Sequence, residues 1–365
     1  MYLQTLSLFF FKNYLEASFQ FSKEINCIIG ANGSGKTNLL DAIHYLSLTK
    51  SAFNNSDQLT VQHNQKLFMV KGTFEKDEEM YQVNCGFVNG EKKTVHLNQV
   101  PYERLSQHIG KFPVVLITPY DTDLVRGGSE VRRKYMDSII AQTDAKFLDE
   151  LMKYNGILKQ RNALLKQFAE QNSFDESLLE TYDDILVRIG TSIHEKRKVF
   201  TEELSDKLKH SYDQLTSHSE PIEIKYQSEL LRTDFSELLN KHQQRDLFLQ
   251  RTSSGIHRDD YLFVLKDKPL KKFGSQGQQK SYVISLKLAH FDFLYQHLNE
   301  KPILLLDDIF EKLDQKRIKN LIHLISEHHF GQIFITDARP EPTKNLLSSV
   351  SSDIKFFDIE HLTQE

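Results

Sequence analysis

The sequence predicts an α/β protein, a mixed sheet with antiparallel N-terminal strands, interrupted by an inserted all-helical domain. Three observations predict it. Apolar runs at Leu3–Phe11, Leu15–Phe21 and Ile25–Ile29 lead into a glycine-rich turn and then a helical pattern (Leu39, Leu40, Ile43, Leu46). No proline falls between Pro119 and Pro221, and apolar residues there recur at helical spacing. From about residue 250 strand and helix patterns alternate again, and Ile303–Leu306 is the unbroken apolar run expected of a strand buried on both faces of a parallel sheet.

Each element follows in order. Leu67–Phe74, Tyr81–Val88 and Thr94–Leu97 read as strands, with Asn89-Gly90 as the hairpin turn between the last two. In the middle, Leu151, Leu158 and Leu165 are spaced by seven, with Tyr154 and Phe168 on the neighbouring seam position. Ser173-Phe174-Asp175-Glu176 fits a capping box for a new helix, whose apolar stripe runs from Ile185 to Leu208. A short antiparallel helical hairpin is therefore expected. Tyr261–Leu265 reads as a strand, Gln279–Leu298 as a long helix, Ile318–Ile325 as another helix, and Gln332–Thr336 as a strand. The expected boundaries are 1–129, 130–250 and 251–365, the first and last forming one lobe around the helical insert.

Composition narrows the function classes. The chain has 365 residues, 39% hydrophobic, with no stretch of about 20 apolar residues that would span a membrane. The apolar start lacks a basic residue before Lys12 and a small-residue cleavage pattern, so it does not read as a signal peptide. Two cysteines, Cys27 and Cys85, are too few for a disulfide framework or a zinc site, and a cytoplasmic location is expected. A net charge of −4 excludes a surface coated in positive charge, so any contact with a nucleic-acid backbone must come from a local patch or from subunits meeting.

The chemistry begins at Gly30-Ala31-Asn32-Gly33-Ser34-Gly35-Lys36-Thr37, which matches the phosphate-binding pattern G-x-x-x-x-G-K-[ST] at every defined position, with Asn38 next in the helix. Glycines let backbone N–H groups curl around phosphate oxygens, and the helix that follows presents its positive end to them. Lys36 is positioned for the β- and γ-phosphates of ATP, and the Thr37 hydroxyl for Mg²⁺. A second acid must complete the metal site. Ile303-Leu304-Leu305-Leu306-Asp307-Asp308 offers it, with Asp307 as metal carboxylate and Asp308 as the base for the attacking water. Val114–Ile117 followed by Asp121 is the weaker candidate, because Thr118-Pro119 breaks the strand first.

Spacing then selects the kind of phosphate-loop protein. About 270 positions separate Thr37 from Asp307, with a helical domain between them, which fits ATPase heads of the ABC and SMC type rather than small kinases. Such heads need a signature loop before the second acid. Ser275, Gln276, Gly277 and Gln278 stand there at the start of a helix, positioned to clamp the γ-phosphate of a second subunit. After the acids, Glu311-Lys312-Leu313-Asp314 fits a loop crossing the dimer interface. An ABC transporter subunit is the alternative reading. A nuclease with an attached metal domain lacks the length.

The chain resembles the RecF family of bacterial DNA-repair ATPases over nearly its whole length. The resemblance is carried by Phe11-Lys12-Asn13-Tyr14, Gly30–Leu40 with Asp41-Ala42-Ile43, Thr118-Pro119-Tyr120-Asp121 through Leu124–Gly128 to Arg132-Arg133, Gly255-Ile256-His257-Arg258-Asp259-Asp260, Ser275–Lys280 and Leu305–Asp308. It departs at Ile256, where the family usually has proline, and at Tyr120, where glutamate is common. Membership implies ATP-dependent dimerisation, slow DNA-stimulated hydrolysis, binding to duplex DNA near single-strand gaps, and work with RecO and RecR to load RecA. It does not say what each residue of His257–Asp260 does. An ion pair is the expected use of Arg258 beside two acids, and Arg132 and Arg133 are open to DNA contact or solvation. Thr336 and Asp337 are candidate γ-phosphate sensors.

Overall fold

The computed structural model describes residues 1–216, 220–310, 314–327, 329–347, 350 and 353–359. Glu311-Lys312-Leu313 of the expected interface loop lies outside the described residues. The chain divides into two compact units. One comprises Met1–Thr122, His210–Ser219 and Ser275–Glu365, the other Asp123–Lys209 and Glu220–Gly274.

The first unit is built on two sheets. The antiparallel sheet runs in the order Tyr14–Gln20, Tyr2–Phe11, Leu67–Lys76, Glu79–Val88, Thr94–Leu97, Val100–Pro101. Gly90, at φ +87°, turns the chain between two of these strands, as Asn89-Gly90 predicts. The second sheet is parallel throughout, in the order Ile354–Asp358, Ile25–Ile29, Ile333–Asp337, Ile303–Asp307, Val114–Ile117. Its four strands other than Ile354–Asp358 are buried at every residue, which is why they read as apolar runs without alternation.

Helix Lys36–Leu48 contacts strands of both sheets. Leu39, Leu40, Ile43 and Leu46 accordingly share one core with Leu6 and Phe68 of the antiparallel sheet and Leu305 and Phe334 of the parallel one. Full burial of each such side chain contributes about 1.5–3 kcal/mol. This core fixes the start of the helix against the ends of the parallel strands, and so fixes the site.

The second unit departs from the expected insert in two ways. Besides helices Ser129–Thr143, Ala145–Gln171 and Phe235–Leu249 and most of Glu176–Thr216, it holds a three-stranded antiparallel sheet, Lys268–Pro269, Asp260–Leu265, Ile222–Gln227. The insert is therefore helical but not all-helical, and it comprises Asp123–Lys209 and Glu220–Gly274 rather than 130–250. Tyr261–Leu265 is a strand, yet it pairs antiparallel with Ile222–Gln227 instead of joining the parallel sheet.

The helical hairpin is present. Asn172, at φ +45°, ends its first helix, and Asp175 rather than Ser173 caps the second, accepting from the Leu178 amide at 3.0 Å. The Ser173 amide instead donates back to Phe168 O. Two fully buried arginines tie this unit together. Arg161 donates to Asp183, to Asp246 at 2.7 Å and to Thr252 at 2.9 Å. Arg197 donates to both oxygens of Asp137 at 2.9 and 2.8 Å, to Asp259 at 2.8 Å and to Ile256 O at 2.7 Å. No described helix is long and apolar enough to cross a membrane.

Candidate functional site

The phosphate loop joins strand Ile25–Ile29 to helix Lys36–Leu48. Gly33 and Gly35 take φ of +86° and +109°, a region where an L side chain is strained. A Cβ on Gly33 would meet nothing within 4 Å, so the loop is open there, whereas one on Gly35 would sit 2.4 Å from Asn13 Nδ2. Gly30, Ala31, Asn32 and Ser34 complete the curl, which leaves Ala31–Gly33 exposed and Gly35 and Lys36 buried. Lys36 Nζ donates to Gly30 O at 2.9 Å and Ala31 O at 3.0 Å, which holds the ammonium across the loop.

A brace invisible to motif reading lies beneath this loop. Tyr2–Phe11 and Tyr14–Gln20 pair with Phe11 opposite Tyr14, so Lys12-Asn13 is the tip of a tight hairpin. Lys12 Nζ pairs with the buried Asp41 carboxylate at 2.7 Å. Asn13 Nδ2 donates to Ser34 O at 3.2 Å, Asn38 Nδ2 donates to Asn13 Oδ1 at 2.7 Å, and the Tyr14 hydroxyl donates to Gly35 O at 3.0 Å. Three consecutive side chains thus hold the loop and its helix. The quoted Phe11-Lys12-Asn13-Tyr14 is the only trace of this in the sequence.

The second acid stands where the sequence places it. Strand Ile303–Asp307 is separated from Ile25–Ile29 by Ile333–Asp337, and Asp307 is opposite Thr336 in the register. The Thr37 hydroxyl donates to the Asp307 carboxylate, 2.9 and 3.0 Å from its two oxygens, and the Thr336 hydroxyl donates to Oδ1 at 2.8 Å. Burial pushes the Asp307 carboxyl above its ordinary range, while the Thr336 and Thr37 hydrogen bonds and the Lys36 charge pull it back. Asp308 follows at φ +44°, half-buried, its amide donating to the Thr336 hydroxyl at 3.0 Å. A non-glycine residue held left-handed beside the Asp307 carboxylate fits strain stored at a functional site.

The donor set fits a magnesium nucleotide. A hydroxyl and a carboxylate, both hard oxygen ligands, meet beside an amide-lined loop open at Gly33. Asp121, the rival acid, is otherwise engaged: it pairs with Lys287 at 2.7 Å and accepts from the Thr118 amide at 2.6 Å. Nor is Asp337 free to sense a phosphate. Its oxygens accept from the Arg339 amide at 2.8 Å and the Thr343 hydroxyl at 2.7 Å, at the start of helix Pro340–Leu347. Thr336 instead orients Asp307 and anchors Asp308.

Ser275 is the N-cap of helix Gln276–Leu298, and Gln276, Gly277 and Gln278 form its first turn, so the helix starts three residues before the expected Gln279. The cap is a capping box: Ser275 Oγ accepts from the Gln278 amide at 3.2 Å, and the Ser275 amide donates to Gln278 Oε1 at 2.9 Å. Ser275 opens a segment of the unit that also carries the nucleotide loop. It is exposed, at the positive end of a long helix.

Of the remaining family residues, Arg132, Arg133, His257, Asp259 and Asp260 are engaged inside the second unit. Arg132 makes a two-pronged pair with Asp260 at 2.8 and 2.9 Å, and Arg133 donates to Asp259 O at 2.6 Å. Asp259 is held by Arg197 and by the Tyr226 hydroxyl at 2.6 Å. His257 meets Tyr154 at 3.0 Å and Thr252 O at 3.2 Å, and burial lowers its pKa to about 4, so its ring stays neutral. The ion-pair reading of this motif holds for Asp259 and Asp260, with Arg197 and Arg132 as partners rather than Arg258.

Comparison with known proteins agrees with this geometry. Residues 2–355 match the family described as RecF/RecN/SMC N terminal domain. The DNA replication and repair protein RecF of Flavobacterium johnsoniae is 44% identical over 98% of this chain and 100% of its own length, and that of Cytophaga hutchinsonii 42% over 99% and 95%. A solved structure of the recombination mediator protein RecF with ATPrS, in the RecFOR pathway, superposes with a TM-score of 0.87 at 28% identity, covering 98% of this chain and 96% of its own. An SMC head bound to the winged-helix domain of ScpA shares the fold, with a TM-score of 0.56 at 16% identity over 98% and 94%. The chain belongs to the RecF family of DNA replication and repair proteins, built on the ABC-type head shared with SMC proteins.

Proposed function

We propose that this chain is an ATP-dependent DNA-binding protein of recombinational repair and replication restart. Two copies dimerise head to tail with ATP and bind duplex DNA near single-strand gaps. Together with RecO and RecR they help load RecA, and slow DNA-stimulated ATP hydrolysis resets the dimer in the cytoplasm. The observation that carries this reading is the meeting of Thr37 and Asp307 beside the Lys36 loop. Relatives that match end to end are DNA replication and repair proteins, and related structures contain ATP or ATPrS. Those matches disfavour the transporter subunit. Burial pushes both free thiols, Cys27 and Cys85, up to about 12, which suits structural cysteines in a reducing compartment.

In this mechanism the loop amides of residues 30–35 and Lys36 bind the phosphates, and Asn38 extends the first turn beside them. Thr37 and Asp307 would hold Mg²⁺, which would supply neutralisation of the phosphate charge. Asp308 orients the attacking water and accepts its proton at the carboxylate. Ser275, Gln276, Gly277 and Gln278 of the partner subunit close the pocket with a helix N-terminus and a hydroxyl. A lone chain then lacks half of each site, because catalysis here is positioning and charge stabilisation.

Sizing the protein with and without ATP, then with gapped DNA, tests this. ATP converts monomer to dimer, and gapped DNA joins the dimer peak. Asp308→Asn keeps ATP binding and accumulates the dimer. Hydrolysis by Asp308→Asn at the wild-type rate removes it as base, and an unchanged size with ATP contradicts the dimer.

A further inference from the structure

The second unit carries a cleft of about 580 Å³, walled by the end of strand Ile222–Gln227, the turn after it, helix Phe235–Leu249 and the segment leading to Asp260. Its lining includes three guanidiniums, Arg232, Arg245 and Arg258, and three carboxylates, Glu229, Asp259 and Asp260. The fold already offsets two of the acids: Arg132, Arg133 and Arg197 together balance Asp137, Asp259 and Asp260. Among the described residues, none of the three lining arginines has a carboxylate within ion-pair reach. Only Glu229 offsets them, so the cleft holds a surplus of positive charge. His242 lines the same wall, and its Nδ1 is closed off from solvent without a hydrogen-bond partner among the described residues.

The family motif points to the same place. In Gly255–Asp260, Ile256 is buried, His257 is held by Tyr154 and Thr252, and Asp259 and Asp260 are held by arginines. Arg258 is the exposed exception, and it faces the cleft. One guanidinium fork satisfies a carboxylate, which has two oxygens. Several forks around one cleft suit phosphate, which offers more charged oxygens and recurs along a strand. At about 580 Å³ the cleft has the volume of a small-ligand pocket, about 300–1,000 Å³, which suits a short run of one strand.

We propose that this cleft is a phosphate site that takes the backbone of a single nucleic-acid strand, with Arg232, Arg245 and Arg258 gripping its phosphates. The inference deepens the DNA-binding reading above and rests on it for the source of the phosphate. The chemistry itself is shared with a free phosphate compound such as pyrophosphate.

The test compares the full-length protein with the variant Arg232→Gln/Arg245→Gln/Arg258→Gln, both saturated with ATP, by fluorescence anisotropy of a labelled single-stranded oligonucleotide across a salt series. All three side chains are exposed, so the variant keeps its circular dichroism and melting temperature. It binds the strand about tenfold or more weakly at low salt, and its log–log salt slope is shallower by about 2, from three phosphates at about 0.7 each. Equal affinity and slope in the two proteins overturn the site. If the wild type binds no DNA at all, the DNA reading fails separately, and pyrophosphate decides the cleft. Thermal stabilisation by pyrophosphate that shrinks in the variant keeps the site with a free phosphate as source, and equal stabilisation overturns it. A polyglutamate peptide that binds the cleft more tightly than the strand overturns the assignment to phosphate.

Discussion

Gly35 offers the sharpest test of how the phosphate loop is held. Gly35→Ala places a methyl at φ +109° and 2.4 Å from Asn13 Nδ2. The backbone strain costs about 1–2 kcal/mol. Relief of the clash requires the Asn13 side chain to swing away, which breaks its bonds to Ser34 O and from Asn38, each contributing about 0.5–1.5 kcal/mol. The loop therefore loses about 2–5 kcal/mol, which lowers nucleotide affinity by roughly 30- to 4,000-fold if the loop must be restored for binding. Because the obstacle is the end of a side chain, removing it separates the two effects. Asn13→Ala alone forfeits the hydrogen bonds, and adding Gly35→Ala then costs only the strain. Isothermal titration with ATP on the four proteins of the cycle measures this. The double variant binds more tightly than the sum of the single losses predicts, by about 1 kcal/mol or more. Additivity within about 0.5 kcal/mol would refute the brace, as would wild-type affinity in Gly35→Ala.

Two further predictions concern buried charge. Arg197→Ala strands Asp137 and Asp259 without their shared cation, costs the helical unit about 3–5 kcal/mol, and lowers its melting temperature by roughly 10 °C, read by calorimetry. A shift of a degree or two would mean that water replaces the pair. Asp307→Asn tests the raised carboxyl. A carboxyl raised on folding makes the folded chain bind that proton more tightly than the unfolded chain does. Its contribution to stability is therefore fullest below the ordinary carboxyl value of 3.8 and is lost as pH rises through the folded value. The neutral amide keeps the acceptor for Thr37 and Thr336. Asp307→Asn is thus more heat-stable than wild type at neutral pH, by a margin that closes on acidification, while ATP hydrolysis is lost. A variant less stable at neutral pH contradicts the desolvation argument.

What could be read from the sequence was chemistry written in consecutive residues. The loop from Gly30 to Thr37 and the run ending in Asp307 carry their geometry locally, since each is a strand meeting its own turn. Contacts between distant segments left no such mark. Asn13 meets Ser34 across two strands, and nothing in Lys12-Asn13 as a pair predicts a brace. Strand Ile222–Gln227 is short and pairs with Asp260–Leu265, more than thirty positions on, so a stretch dominated by helical spacing hid a sheet. Arg161 and Arg197 were lost to expectation for another reason. Arginine is mostly exposed, and full burial of either depends on acids contributed by other segments. The capping error was small and physical: Ser173 and Asp175 are both good caps, and the αL turn at Asn172 consumed the first.

The central claim is that each nucleotide pocket needs two chains, and mixing two inactive variants tests it most directly. Lys36→Ala damages the loop side and Ser275→Arg the clamp side, so each homodimer is inactive. A mixed dimer has one pocket with both faults and one with neither. ATP hydrolysis in an equimolar mixture should therefore recover to about a quarter of the wild-type rate, because half the dimers are mixed and each has one intact site. A mixture as inactive as its components, or a Ser275→Arg protein that hydrolyses ATP normally by itself, would contradict the shared pocket.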